Sequence, residues 1–568
     1  TGLFTSVFLN KVGNSGDINI NAKSVTVENG AQLNASTYGT GDAGNINITA
    51  SDFVLFSGAN AIAATNVGGS VFPGALTAQP VGSIGNTGTA IGDGGNIIID
   101  APSVSVKDGA QLQAFTFGKG NAGSININNN ININAANSVL FSGKDNIGIL
   151  SGAYSTVGFV NVLNAIGDAG NINIKANSLS VTDGAVLINS TWGKGNAGDI
   201  TINASDSILL SGSGNGFNGI SSFVNQSAIG NGGNIKVTAR TLEMLNGSQI
   251  STSTASSGNA GNINLFLTQS LLLDGSGTSI QSGTADVLGS TGNGGSIFID
   301  PQNVTLQNGA AIFVSSFGTG IGGDIDISSN NLSLLNGAFI KAESYSANGG
   351  NITLNIPDLL LMRYVSSISA TAGTLSDSSA IGNGGKITID TGFIFGVSTE
   401  NSDIYANGYF GNGGILNIAT NNIFGLKYRP ALTPLSDIVA SSQFGLQGSV
   451  SINTTGVDPS KGLNNLPTDT RDASRLLANA CIADKRGSSF TITGKGGIAA
   501  KPSDRPSPNA LDNLGTISTQ TANLTTSPNV SAPTGDRIVE ATGWMRNAQN
   551  QIVLIAGDTP SQTKIACP

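Results

Sequence analysis

Gly167-Asp-Ala-Gly-Asn-Ile-Asn-Ile174 opens a stretch that continues through Leu179-Ser-Val-Thr182, bends at Asp183-Gly184 and closes with Ala185-Val-Leu-Ile-Asn189. It is one period of a repeat. Written G-x-x-G-x-I-x-I, with Val or Leu accepted for Ile, the opening motif also starts at Gly13, Gly41, Gly92, Gly120, Gly195, Gly230, Gly258, Gly292, Gly320, Gly382, Gly411 and Gly445. A copy at Ala347 has lost its first Gly, which brings the total to fourteen. Through the first ten copies a spacing of 28 residues alternates with longer ones, the longest being 51.

A second marker keeps step with the first. Sixteen residues after the leading Gly stands a turn pair, as in Asn29-Gly30, Asp108-Gly109, Asp183-Gly184, Asn246-Gly247, Asn308-Gly309 and Asn336-Gly337. Such dipeptides accept positive φ at little cost, so they bend the chain where a strand must stop. Between markers, apolar and polar residues alternate with the period of two that marks a strand, at three places per unit. Three short strands and three bends describe one coil of a solenoid, in which each residue lies above its equivalent in the coil before. Hairpins would explain the turns but not offsets that recur unit after unit.

The expected fold is therefore all-β, a right-handed parallel β-helix of about 14 coils over residues 1–456. Ile18, Ile46, Ile97 and Ile125 should form one buried column. The Asn that follows the second Gly, as in Asn45, Asn96, Asn171 and Asn234, should form an amide ladder of the kind that stabilises stacked strands. The extra residues of the longer units should enter at one point of the coil, after the turn pair, and line up on one side. Leu3, Phe4, Val7, Phe8 and Leu9 have no preceding coil to cover them. The chain starts Thr-Gly-Leu-Phe without Met or a signal segment, so this start reads as processed or truncated, and it should fray or associate.

Composition narrows the function. The 568 residues include 79 Gly, 16 Pro, 2 Cys and no His, with 10% charged and 39% hydrophobic. Without His there is neither a Ser-His-Asp relay nor an imidazole metal site. A net charge of -9 argues against a nucleic-acid partner, which needs clustered Lys and Arg. No apolar run is long enough for a membrane-spanning helix.

Residues 457–568 differ from the rest. The Gly motif stops, prolines accumulate, and Asp469-Thr-Arg-Asp-Ala-Ser-Arg-Leu-Leu-Ala-Asn-Ala-Cys481 reads as a helix. Phe490-Thr-Ile-Thr493 reads as a strand, Pro502 to Pro533 as an extended excursion, and Gln551-Ile-Val-Leu-Ile555 as a last strand beside 490–493, with Trp544 covering the junction.

Leu477-Ala-Asn-Ala-Cys-Ile482, Phe490-Thr-Ile-Thr-Gly-Lys-Gly-Gly497 and Glu540-Ala-Thr-Gly-Trp544 resemble the C-terminal segment of large cyanobacterial filamentous-haemagglutinin-like exoproteins. The Gly-Asn-Ile-Asn-Ile repeats are similar to the β-helical stalk of the same family. The resemblance implies two-partner secretion through an outer-membrane transporter, an extracellular or outer-cell-surface location, and adhesion to surface polysaccharide or neighbouring cells. It also implies a longer precursor, because the family's amino-terminal secretion domain with its Asn-Pro-Asn-Gly-Ile motif does not stand in this sequence. In related exoproteins a C-terminal cysteine pair accompanies retention at the cell surface. Cys481 and Cys567, the only two cysteines, would then close a small disulfide-bonded module, the alternative being two free buried thiols.

An enzyme is the rival reading, since many parallel β-helices cleave polysaccharides. That chemistry wants paired acids, or a calcium-binding carboxylate cluster with an Arg or Lys base. The rod's arginines, Arg240, Arg363 and Arg429, adjoin no Asp in sequence, and Asp324 with Asp326 is the nearest thing to an acidic pair. No catalytic, cofactor-binding or metal-binding residue is assigned. The expected function is a non-enzymatic adhesin or matrix stalk; a polysaccharide-binding or polysaccharide-cleaving β-helix and a structural filament or surface-layer component are the alternatives.

Overall fold

The computed structural model describes residues 2–8, 10–58, 62–64, 90–128, 137–146, 148–158, 164–212, 218–284, 290–373, 380–455, 543–546 and 552–555. The chain divides into two units, Thr1–Leu466 and Pro467–Pro568. The first is a parallel β-helix of about 13 turns. Ile18 pairs with Ile46, Ile46 with Ile97 and Ile97 with Ile125, and the same column continues coil by coil to Val450. Ile46, Ile97 and Ile125 have no exposed surface. Burying each such side chain contributes about 1.5–3 kcal/mol, which is how a chain with so few aromatics holds together.

Two sheets enclose the interior. In many coils the first two strands of the unit run on as one bent strand, such as Ile172–Thr182, with a register shift between Ala176 and Ser178. Elsewhere the bend separates them, as in Ile97–Asp100 and Ser103–Lys107. Together they build an 18-stranded sheet, and the third strand of each coil builds a 15-stranded one. Inward apolar residues alternate with exposed polar ones in the first sheet. The second sheet differs over three coils: Gln111–Thr116, Gly152–Val157 and Val186–Thr191 are buried on both faces. There Phe115, Phe117, Tyr154, Val186 and Ile188 form an apolar cluster outside the rod's interior.

Each of the six Asn-Gly and Asp-Gly pairs named above has positive φ at both residues, for example 57° at Asp183 and 94° at Gly184. One coil departs from the rule. Above Asn336-Gly337 stand Tyr364 and Val365, with φ of 54° and 61°. A β-branched residue in that region is strained by about 1–3 kcal/mol. The strained turn is clamped: Arg363 Nε and Nη2 donate to the two Glu400 oxygens at 2.6 and 2.7 Å, and Tyr364 N donates to Glu400 Oε2 at 3.1 Å. Val365→Gly, at a site 62% exposed, is expected to raise stability by about 1 kcal/mol and to show as an upward shift of the thermal midpoint.

The expected Asn ladder is present in a different form. Asn45 Oδ1 accepts from Asn96 N at 2.8 Å, Asn96 Oδ1 from Ser124 N at 2.9 Å, and Asn234 Oδ1 from Asn262 N at 2.9 Å. Side-chain oxygens therefore meet the backbone of the following coil, and Asp serves as well as Asn. The reason is that these positions lie in the bend, where the backbone N–H is turned out of the ordinary ladder and needs an acceptor. A second ladder runs beside it at the residue after the first Gly: Asp42 N to Asn14 Oδ1 at 2.9 Å, Asp93 N to Asp42 Oδ1 at 2.8 Å, Asn121 N to Asp93 Oδ1 at 2.7 Å.

The excursions enter at two points of the coil, which corrects the single point expected. In the unit from Gly120, Asp145 to Ile149 comes before the second-sheet strand Gly152–Val157. In the unit from Gly41 the strand Ile62–Ala64 already pairs with Gln32–Asn34 and with Gln111 to Gln113, so most of that unit's extra residues follow the strand.

Of the second unit, Gly543–Arg546 and Ile552–Ile555 form an antiparallel pair with Trp544 opposite Leu554. The last strand thus pairs with the 543–546 segment. The expected helix at 469–481, the strand at 490–493, the 502–533 excursion and both cysteines lie outside the described residues.

Candidate functional site

The outer face of the second sheet carries a groove of about 580 Å³ toward the C-terminal end of the rod. Strand alternation decides what faces it. In Phe339–Ser344, Ile340 and Ala342 are buried in the rod, which turns Lys341 and Glu343 outward. Register then stacks Ser315 on Glu343, and Lys341 on Ser369 and Tyr405. Bridges from Ser344 to Ala372, Ala372 to Gly408 and Gly408 to Ser442 set Tyr345, Gly373, Tyr409 and Gln443 on successive coils along one edge. Gly373 is required between the two tyrosines: its φ is 80°, and a Cβ there would lie 2.9 Å from the Ala380 carbonyl oxygen and 3.3 Å from Tyr409 Cβ. The groove is the gap it leaves.

One end of the groove is walled by Ala431 and Leu432. Their loop is anchored by Asp437, which has no exposed surface. Asp437 pairs with Arg429, accepts from Thr433 Oγ1 at 2.9 Å, and donates its own backbone N–H to Asp403 Oδ1 at 2.8 Å. Burial pushes the Asp403 carboxyl up to about 6, the Asp437 charge adding to the effect against the Asp437 N–H and the Arg429 charge, which lower it. Glu343 accepts from Ser369 Oγ at 3.0 Å and lies 3.8 Å from Lys341 Nζ. Burial likewise raises Tyr405, with the Glu343 charge contributing.

Asp403 gives a pH dependence whose sign is fixed. Its folded-state value lies above the ordinary 3.8, so between about pH 4 and 6 the native state keeps a proton that the unfolded chain releases. Stability from this group is present at the acid end and is lost as pH rises through that window. Asp403→Asn is expected to flatten the fall in urea midpoint between pH 4.5 and 7; an unchanged slope would assign the dependence elsewhere.

The arginines that sequence reasoning left without acidic neighbours all have them, two across coils and Arg429 within its own loop. Arg240 pairs with Asp206 at 2.7 Å, Arg363 with Glu400 and Arg429 with Asp437. Asp324 and Asp326 do not act together: Asp324 Oδ1 accepts from Asn351 N at 2.9 Å as a ladder member, while Asp326 sits on a strand where burial raises its carboxyl. The turn residues from Asn29 to Gly337 lie on a bend of the coil away from the groove's lining. Asp403 and Asp437 were missed because 34 residues separate them; the signal that would have found the groove is that five of the seven tyrosines fall between Tyr345 and Tyr428. Among the described residues no three His, Cys, Asp or Glu side chains gather as a metal site, and no helix is long and apolar enough to cross a membrane. No family model, curated protein or solved structure matches the chain.

Proposed function

We propose that this chain is the stalk of a secreted or cell-surface exoprotein that serves adhesion or matrix building and is not an enzyme. The observation that carries the reading is that the groove's lining holds one carboxylate, Glu343, which accepts from Ser369 and lies beside Lys341, while the two aspartates behind its loop wall are committed elsewhere. Asp437 is sealed by Arg429 and Thr433, and a Asp403 oxygen is engaged by the Asp437 N–H. Glycoside hydrolysis needs one carboxyl to donate a proton and a second, accessible carboxylate to attack or to activate water. Here the groove's lining supplies no second carboxylate, and Asp437 is occupied in holding a loop. The extended rod, its low charge and its polar turns fit a scaffold that displays surface over distance.

The outer-membrane transporter, the surface location and the Cys481–Cys567 bridge belong to this proposal through the family resemblance. Incubating the purified chain with a panel of polysaccharides and assaying reducing ends and unsaturated products tests the chemistry. Binding without products is the expected result, and turnover of any polysaccharide would overturn it. Thiol titration of protein purified without reductant is expected to find no free thiol.

A further inference from the structure

We propose that the groove binds an uncharged polysaccharide laid along the rod axis, with one sugar ring per coil. This deepens the non-enzymatic reading above by naming the ligand class.

Three features of the groove point to that ligand. The first is spacing. Tyr345 and Tyr409 stand two coils apart on the same edge with Gly373 between them. Adjacent coils are about 4.8 Å apart, so the two rings are about 10 Å apart. One pyranose ring advances a glycan by close to one coil spacing, so alternate rings of a bound chain meet a tyrosine face. Amphipathic aromatic side chains suit a ligand whose ring faces are C–H-rich and whose edges are polar.

The second is the lining. Ser315, Thr371, Asn407, Ser441 and Gln443 supply hydroxyls and amides, groups that both donate and accept and so match sugar hydroxyls without a formal charge. The third is charge. The acid facing the groove is Glu343, beside a chain total of -9, and the nearby Lys341 ammonium is already drawn to Glu343 at 3.8 Å. A uronate or sulfated chain would place like charges together, which selects against it. The loop wall at Ala431 and Leu432 closes one end of the groove.

Calorimetric titration of the full chain with cellohexaose, xylohexaose, mannohexaose and hexagalacturonate tests the assignment. At least one neutral hexasaccharide is expected to bind saturably, and hexagalacturonate to bind about tenfold more weakly or not at all. Tyr345→Ala and Tyr409→Ala are each expected to weaken the neutral ligand about tenfold, while Tyr345→Phe and Tyr409→Phe hold it. Both tyrosines are half-buried at the surface, and circular dichroism checks that each variant keeps its sheet content. The proposal is overturned if no neutral hexasaccharide binds, if both Ala variants bind as well as the parent, or if the uronate is preferred. Shorter oligosaccharides appearing in the titration mixture would instead overturn the non-enzymatic reading while leaving the groove as the binding site.

Discussion

Ile172→Asp is expected to destabilise the rod by about 3–5 kcal/mol, the cost of an uncompensated buried charge. Ile172 has no exposed surface and lies between Ile125 and Ile200 in an apolar column that runs the length of the interior. Among the described residues no basic side chain enters that interior, so the new carboxylate either stays charged and unsolvated or takes up a proton at the expense of stability. In a solenoid each coil touches only its neighbours, so the lesion should also divide the cooperative unit. Thermal unfolding followed by far-ultraviolet circular dichroism is expected to show an early transition, absent from the parent. Ile172→Val, which removes one methylene, is expected to cost about 0.5–1.5 kcal/mol without that early step. A single transition near the parental midpoint in the Asp variant would contradict the packing described.

Gly198→Ala is the second large effect. A Cβ at Gly198 would lie 2.0 Å from the Gly170 carbonyl oxygen and 2.7 Å from its carbon, atoms of the coil beneath that cannot move without opening the stack. All fourteen copies of the motif keep Gly at this position, whereas the first Gly of the motif is Ala347 in one copy. The same column supplies its own control. At Gly16, in the first coil, the nearest atoms to a new Cβ are in the Thr5 side chain at 3.8 Å. Gly16→Ala should therefore be tolerated and Gly198→Ala should lower the thermal midpoint sharply, by an amount set by several kcal/mol of overpacking. Equal effects from the two would show that the close approach is not what the column requires.

The contrast between those two glycines explains what the sequence allowed to be read. Strand positions, coil length and the buried column are properties that each period repeats, so fourteen copies average away the local ambiguity that makes a single short strand hard to recognise. The turn pairs were legible for the same reason, because positive φ leaves few residue choices. The ladders were half legible: Asn and Asp at fixed positions were visible, but whether their oxygens meet a side chain or a backbone N–H depends on the geometry of the bend. The groove was legible only as a clustering of tyrosines, not as a site. It arises where Tyr345, Gly373 and Tyr409 interrupt the repeat differently in successive coils, and where Asp403, Arg429 and Asp437 meet through a fold that only the stack creates. Tyr364 and Val365 escaped notice because nothing in their own composition marks a turn; the coil below them imposes it.

The ladder after the first Gly has a direction, and one residue interrupts it. Each side-chain oxygen serves the coil that comes after it, from Asn14 to Asp42 and onward to Asn293, whose Oδ1 accepts from Ile321 N at 3.1 Å. Ile321 has no oxygen to hand on, and the series resumes only where Asn348 Oδ1 accepts from Asn383 N at 2.9 Å. A rod under tension carries the same load through every coil, so it yields at the junction with the fewest bonds, not at an average one. Between the Gly320 and Ala347 coils that edge relies on its neighbour, the Asp324 to Asn351 bond at 2.9 Å. This joint falls inside the groove, with Ser315 and Tyr345 on one side and Gly373 and Tyr409 on the other, so a stalk that opened here under load would draw the two tyrosines apart.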